Sequence, residues 1–191
     1  MDMERFAPLL AAIDRSLAGT EKAVAVAIDG MAASGKTTLA AALAEKYGAS
    51  VVHMDDFFLR PEQRTPERYA QPGGNIDWER FLSEVCPYLA TGEGFSYFRF
   101  DCHRMCLAQR IVIPPHPLII VEGTYSLHPK FLSFYTIKVM LTISQEWQAE
   151  RIQRRNGKDG YRIFAEKWIP LENRYFSEFH AEMSADFVFN G

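Results

Sequence analysis

Cysteine is scarce in this chain: Cys86, Cys102 and Cys106 are the whole complement of 191 residues. An odd set of three without a framework spacing excludes a disulfide scaffold, and a reducing, cytoplasmic setting is expected. Cys102, His103 and Cys106 sit close together, but no second pair follows at a suitable spacing, so a four-ligand zinc site is not expected. Long apolar runs are missing too, and Met1-Asp2-Met3-Glu4-Arg5 leads into no extended apolar stretch. Neither a membrane partner nor a signal peptide is therefore expected. No sign of charge dominates: a net charge of −3 supplies no basic field for nucleic acid. Internal repeats and low-complexity segments are also lacking. What remains, 48% hydrophobic and 24% charged, is the composition of one globular domain able to bury a core.

Against that plain background one segment stands out. Gly30 to Thr37 reads Gly-Met-Ala-Ala-Ser-Gly-Lys-Thr, after an apolar run Val24–Ile28 and before Thr38-Leu39-Ala40-Ala41-Ala42-Leu43. Strand, G-x-x-x-x-G-K-[ST], helix is the phosphate-binding loop in its required context. In such a loop the backbone N–H groups of residues such as Ala32, Ala33, Ser34, Gly35 and Thr38 wrap a polyphosphate, and the helix aims its positive end at the same charge. Gly30 and Gly35 permit the backbone angles and the close approach. Lys36 reaches the terminal phosphates, and the Thr37 hydroxyl is a Mg²⁺ ligand. ATP and Mg²⁺ are thus the expected ligands.

The rest of the chain alternates strands with helices. Phe6, Leu9, Leu10, Ile13 and Leu17 recur with a helical period. Helix one begins near Lys36 and ends at Gly48, a C-cap; strand two is Ser50–Met54. Residues 60–77 carry Pro61, Pro66, Pro72, Gly73 and Gly74 and predict an excursion rather than one long helix. Asp77–Tyr88 reads as helix, and Phe95–Phe100 with Arg110–Ile113 as a strand pair outside the main sheet. Leu118–Val121 is a continuous apolar run of the kind found in central parallel strands. Ile137–Ile143 is another strand, and Gln145–Arg155 a helix. Asn156-Gly157-Lys158-Asp159-Gly160 predicts a mobile connection. Tyr161–Ala181 is helical with an interruption at Pro170, and Asp186–Phe189 is a last strand. Alternation of this kind predicts a three-layer α/β/α fold around a mostly parallel sheet. Ligands in such sheets sit beyond the carboxyl ends of the strands. The loop, Asp55 and Glu122 all follow predicted strands and should therefore converge.

Phosphoryl transfer needs a held polyphosphate, charge neutralisation and an oriented nucleophile. Glu122 is placed to support Mg²⁺ beside Thr37, its alternative being a helix cap. Asp55 is the candidate that accepts the proton of an acceptor hydroxyl and contributes to the metal site; capping before Phe57-Phe58 is the alternative for Asp55-Asp56. Arg151, Arg154, Arg155, Lys158 and Arg162 form a basic cluster, read either as a solvated face or as a lid folding over the transferred group and excluding water. No Asn-Lys-x-Asp or Asp-x-x-Gly string of a regulatory GTPase occurs, nor the Leu-Ser-Gly-Gly-Gln of a transporter ATPase. A small-molecule kinase remains.

These pieces resemble one family. Ile28–Thr38, His53-Met54-Asp55-Asp56-Phe57-Phe58, Gly74-Asn75-Ile76-Asp77-Trp78, Val121-Glu122-Gly123-Thr124-Tyr125 and Arg151-Ile152-Gln153-Arg154-Arg155 are similar to the motifs of the uridine kinase-like P-loop kinases. That group also includes nicotinamide riboside kinases and, more distantly, phosphoribulokinase and bacterial pantothenate kinase. The resemblance implies that Asp55 activates the acceptor hydroxyl and helps hold the water shell of the metal. It implies that Asp77 hydrogen-bonds ribose hydroxyls, a task that suits a carboxylate; an N-cap before Trp78 is the other reading, and both roles are compatible. It places Glu122 near Mg²⁺ and the substrate, and Arg151, Arg154 and Arg155 on ATP. Members are often dimers or tetramers, so a homo-oligomer is an expectation of the resemblance.

The chain departs from the pattern in the base-reading hairpin, where Ser96-Tyr97-Phe98-Arg99-Phe100-Asp101-Cys102-His103 stands. In one register Phe98 and His103 match and Arg99 replaces the family's Asp; in another Phe100-Asp101 matches and His103 is displaced. Tyr97, Phe98, Arg99 and His103 are candidates to line an acceptor pocket, with ordinary aromatic packing as the alternative. The reading is a single kinase domain over residues 1–191, with an N-terminal helix over 1–20, an acceptor-binding region over 60–113 and a lid over 151–162. The favoured acceptor is the 5′-hydroxyl of uridine, cytidine or a similar riboside. Nicotinamide riboside, a pantothenate-like acid, or a nucleotide-binding module without chemistry are the alternatives.

Overall fold

Residues 3–190 are described by a computed structural model, and they form three layers around a five-stranded parallel sheet. Helix α1 (Ala7–Gly19) leads into strand β1 (Val24–Gly30), helix α2 (Lys36–Tyr47) and strand β2 (Ser50–His53). The excursion contains the single turn α3 (Pro66–Tyr69) and is followed by helices α4 (Trp78–Glu84) and α5 (Cys86–Leu89). Strands β3 (Phe95–Asp101) and β4 (Cys106–Ile113) make a separate antiparallel hairpin. Strands β5 (Leu118–Glu122) and β6 (Ile137–Thr142), helices α6 (Gln145–Ile163) and α7 (Ile169–Phe179) and strand β7 (Phe187–Asn190) complete the order. The sheet runs β2-β5-β1-β6-β7, so β1 and β5 are central.

Every residue of these two strands is buried, which is why they read as unbroken apolar runs. Their side chains still alternate. Val24, Val26, Ile28, Leu118 and Ile120 pack on one face with Leu9, Ile13, Leu39 and Leu43 of α1 and α2. Ala25, Ala27, Ile119 and Val121 face the other layer, which holds Phe81, Val85, Tyr97, Phe131 and Tyr175. Each buried Leu, Ile or Phe in this double core contributes roughly 1.5–3 kcal/mol. Met1, the start of the expected N-terminal helix, lies outside the described residues.

The chain departs from expectation between α6 and α7. The predicted connection over 156–160 is helical apart from a single break at Gly157 (φ 73°, ψ 177°). Nothing lies within 4 Å of where a Cβ would stand there, and one glycine in open space is enough to redirect the chain. A wide π-helical turn, Phe164–Trp168, then runs into α7. Pro170 falls in the first turn of α7, where its missing N–H is not needed, so it starts that helix and does not interrupt one.

Candidate active site

Strand register explains how distant segments meet. Ile28 pairs with Glu122, and Glu122 with His53, so the carboxyl ends of β1, β5 and β2 lie side by side. The loop 30–37, the turn 54–57 and the segment 123–127 follow those ends and wall a cavity of about 490 Å³. This is the sheet edge where open α/β folds hold ligands.

The phosphate loop is shaped by its backbone. Gly30 has φ 147°, and a Cβ there would fall 2.1 Å from the Leu141 carbonyl oxygen. Ala33 takes φ 62°, a left-handed conformation that costs on the order of 1 kcal/mol or more for a residue with a Cβ. That local strain goes with the curl that turns N–H groups inward. Gly35 caps α2, so the loop passes directly into the positive end of a helix. Lys36 Nζ spans the loop, donating to the carbonyls of Gly30 at 2.7 Å and Met31 at 2.9 Å.

Beneath the loop lies Asp29, fully buried. Its carboxylate accepts from the N–H groups of Gly30, Tyr125 and Leu127 and from the Tyr175 hydroxyl, at 2.6 to 3.1 Å. Burial pushes its pKa up, and the Leu127 N–H and the Tyr175 hydroxyl oppose the shift. It knits the loop, the segment after β5 and α7 into one unit.

Thr37 Oγ1 donates to Glu122 Oε2 at 3.1 Å, and Glu122 Oε1 meets His53 Nδ1 at 2.6 Å. The hydrogen bond to Glu122 raises the His53 pKa. A hydroxyl beside a carboxylate, next to a phosphate loop, suits Mg²⁺, which keeps several waters and takes few protein oxygens. Among the described residues no three of His, Cys, Asp and Glu could hold a metal unaided. The donor set therefore fits a Mg²⁺ that arrives with the nucleotide. Asp55 also lines the cavity. Its side chain is accessible from the cavity, yet protein crowds round it. That crowding raises its pKa, with the Lys36 ammonium pulling the other way and Glu122 and Asp56 adding to the rise.

The opposite wall comes from α6, the turn 164–168 and α7. Arg151 donates to the Ala33 carbonyl at 3.2 Å, and Arg155 lies over the Phe164 ring. Trp168 packs against Phe58, ring centroids 5.9 Å apart, and both line the cavity with Asn75 and Tyr125. Glu172 of α7 reaches the loop itself: its Oε2 accepts from the Ala32 N–H at 2.9 Å, and Thr124 Oγ1 is 3.4 Å from its Oε1. Burial pushes this carboxyl up to about 7.

Several residues singled out from sequence stand elsewhere. Asp77 is fully buried and is not part of the cavity wall. One of its oxygens caps α4 through the Arg80 N–H at 3.2 Å, and the other meets Arg60 Nε at 3.1 Å. Tyr97 is buried with its hydroxyl on Asp56, and Arg99 pairs with the same carboxylate at 2.9 Å. His103 sits in the exposed hairpin turn, its N–H donating to Asp101. Arg154 pairs with Glu150 on the solvent side of α6, away from the cavity. Conversely, Asp29, Asn75, Trp168 and Glu172 enter the site without having been singled out. Asp29 and Asn75 have a trace in the sequence, since they stand within the segments Ile28–Thr38 and Gly74–Trp78.

No protein-family model matches the chain, and no curated protein matches it in sequence. Solved structures do match in fold. A possible uridine kinase from Bacillus stearothermophilus superposes with a TM-score of 0.69 at 20% identity, over 95% of this chain and 99% of that one. A candidate fructose transport system kinase from Silicibacter sp. TM1040 gives 0.65 at 22% identity, over 95% and 98%. YFH7 from Saccharomyces cerevisiae, a candidate P-loop kinase with a circular permutation, gives 0.66 at 14% identity, over 100% and 99%. Over nearly the whole of its length the chain shares the fold of these structures.

Proposed function

We propose that this protein is a Mg²⁺- and ATP-dependent kinase that transfers the γ-phosphoryl group of ATP to a hydroxyl of a small molecule. One observation carries the reading: Lys36, the Thr37–Glu122 pair and Asp55 surround a single cavity at the mouth of the phosphate loop. Contrary to the sequence expectation, the Ala32 and Ser34 N–H groups are taken by Glu172 and the Met31 carbonyl, so the N–H groups of Ala33, Gly35 and the start of α2, with Lys36, would hold the phosphates. Thr37 and Glu122 would hold Mg²⁺, which when bound neutralises charge developing on the transferred group. Asp55 would accept the hydroxyl proton; crowding that raises its pKa brings it toward the value at which a general base works near neutrality. Arg151, on the Ala33 carbonyl, and Arg155, in the same cavity wall, would meet the charge that develops on the transferred group. Phe58, Phe164 and Trp168 offer an apolar wall for an acceptor ring and keep bulk water from the nucleotide.

A riboside is the acceptor class we favour, with uridine and cytidine first. The resemblance around Asp55 and Glu122, which do line the cavity, supports it, and so does the aromatic wall. A specific feature favours a second acceptor class. On the hairpin side the carboxylates of Asp77 and Asp56 are taken up by Arg60 and Arg99, and Arg99 remains half-exposed. Guanidinium groups there would suit a hydroxy acid of the pantothenate type. The test is ADP release from Mg-ATP across uridine, cytidine, purine nucleosides, nicotinamide riboside and pantothenate, with Asp55→Asn as blank. A signal with one acceptor, lost in the variant, supports the kinase and names its acceptor. Bound ATP with silence across the panel would favour a nucleotide-binding module without chemistry.

A further inference from the structure

Glu172 is an uneconomical way to make the contacts it makes. A glutamine would accept the Ala32 N–H and meet the Thr124 hydroxyl equally well, without a carboxylate to desolvate. The side chain is nevertheless acidic, buried, and set on the phosphate loop from a helix remote in sequence. We propose that Glu172 is a proton-linked positioning residue of the phosphate loop, ionised in part before the nucleotide enters and protonated when the polyphosphate is bound.

This inference rests on the reading of the loop as a nucleotide site. The groups around Glu172 explain the direction. Burial is the main influence on it, and Lys36 is the chief charge that favours its ionised form. Asp29 below the loop and Asp55 across the cavity push toward the neutral acid. The Tyr125 and Tyr175 phenols, whose pKa values are raised, are neutral neighbours, and Arg151 and Arg155 line the cavity from α6. A polyphosphate changes two of these influences together. It adds negative charge to the cavity, and it draws the Lys36 ammonium to itself. Both disfavour a carboxylate beside Ala32. Protonation removes the repulsion and leaves the carbonyl oxygen of the acid on the Ala32 N–H, so the loop keeps its brace. The proton comes from solvent and goes to one carboxylate oxygen, which then becomes a donor.

Calorimetric titration of Mg²⁺ plus a non-hydrolysable ATP analogue, in buffers of different ionisation enthalpy, reads the protons taken up on binding. Wild-type protein is expected to take up a net fraction of a proton at about pH 8, and its affinity to fall by up to about tenfold per pH unit above that. Glu172→Gln should bind with a nearly flat pH profile, take up fewer protons, and bind more tightly than wild type at about pH 9. Thermal melting checks that the variant folds, and Glu172→Ala replaces it if it does not. Wild-type binding without proton uptake, or uptake unchanged in the variants, overturns the proposal and leaves the kinase reading intact. Absence of any nucleotide binding by the wild type overturns both.

Discussion

The two ends of the site are built by different means. At the nucleotide end the backbone sets the geometry. Gly30, Ala33 and Gly35 adopt positive φ, a helix begins at once, and three parallel strands deliver their following residues to one edge. Side chains there, Lys36 and the Thr37–Glu122 pair, face the cavity with little freedom to be elsewhere. At the acceptor end side chains set the geometry, and they are bonded to one another: Asp77 to Arg60, Asp56 to Tyr97 and Arg99, Arg68 to Glu79. On the kinase reading the first end would bind a shape common to all nucleotides, so a short motif can encode it. The second would have to recognise one molecule, and its geometry depends on pairings between distant segments.

The largest effect expected separates the two ends at Asp55. Asp55→Asn should lower kcat by roughly a hundredfold to ten-thousandfold. The affinity for Mg-ATP should stay within about threefold, because the loop, Lys36 and Glu122 are untouched. Initial rates on the identified acceptor, with nucleotide affinity measured by calorimetry, check it. Loss of nucleotide binding along with turnover would mean that the two ends are not independent.

Legibility follows the same division. The loop, the strands and the convergence of Asp55 with Glu122 could be read because strand order and the edge rule act through the backbone. The hairpin register could not. A bulge between Arg99 and Phe100 shifts the pairing, so Tyr97 and Phe100 point inward and Phe98 is left outside, 47% exposed. Strict alternation would have placed Phe98 and Phe100 on the same face. The bracing contacts of Glu172 and Asp29 are not legible in the sequence for another reason. Their partners lie up to 146 residues away and exist only once α7 has packed on the loop. Gly157 reads as part of a loop because Asn-Gly and Gly neighbours signal turns, although a single residue carries the whole change of direction.

A second test concerns how the acceptor end is attached. His128 is buried among Phe131, Tyr175 and Phe179, with Gly73 of the excursion close by. Burial, helped by Lys130 and Arg68, lowers its pKa to about 4. The unfolded chain, with a His pKa of about 6.5, binds a proton first as pH falls. Stability present above about pH 6.5 is therefore lost as pH drops through about 4, by up to about 3 kcal/mol. His128→Phe should remove that share of the acid sensitivity. Denaturant unfolding of both proteins between those pH values measures it. Equal acid slopes would show that His128 is not buried in solution as it is here.

Asp77 gives a smaller effect that bears on the acceptor end directly. Asp77→Ala removes the cap of α4 and strands Arg60, and should cost about 1–3 kcal/mol. Melting should fall by roughly 2–4 °C for each kcal/mol. Asp77→Asn keeps a good capping residue and should recover most of the loss. A rise in the acceptor KM in the Asn variant at normal stability would show that Asp77 also meets the substrate. That requires Arg60 to leave it.

The smallest effect is expected at Arg154, and it is informative for that reason. Arg151, Arg154 and Arg155 are indistinguishable by residue type, and a lid of all three was the natural expectation. A helix does not present them equally. Residues four apart share a face, and so do residues three apart, but the third member of a trio spaced three and one cannot be on that face in the same way. Arg151 and Arg155 line the cavity, and Arg154 turns to Glu150, with which it forms an exposed i, i+4 pair. Such a pair contributes about 0.3–0.5 kcal/mol to the helix. Arg154→Ala should therefore leave kcat and the ATP KM within about twofold of wild type. Arg151→Ala removes the contact with the Ala33 carbonyl and, on the kinase reading, a guanidinium that would meet the developing charge, and should lower kcat/KM by roughly ten- to a hundredfold. Equal losses in the two variants would mean that α6 turns about Gly157 when the nucleotide binds and brings Arg154 inward. The nucleotide end would then owe its geometry to movement as well as to its backbone.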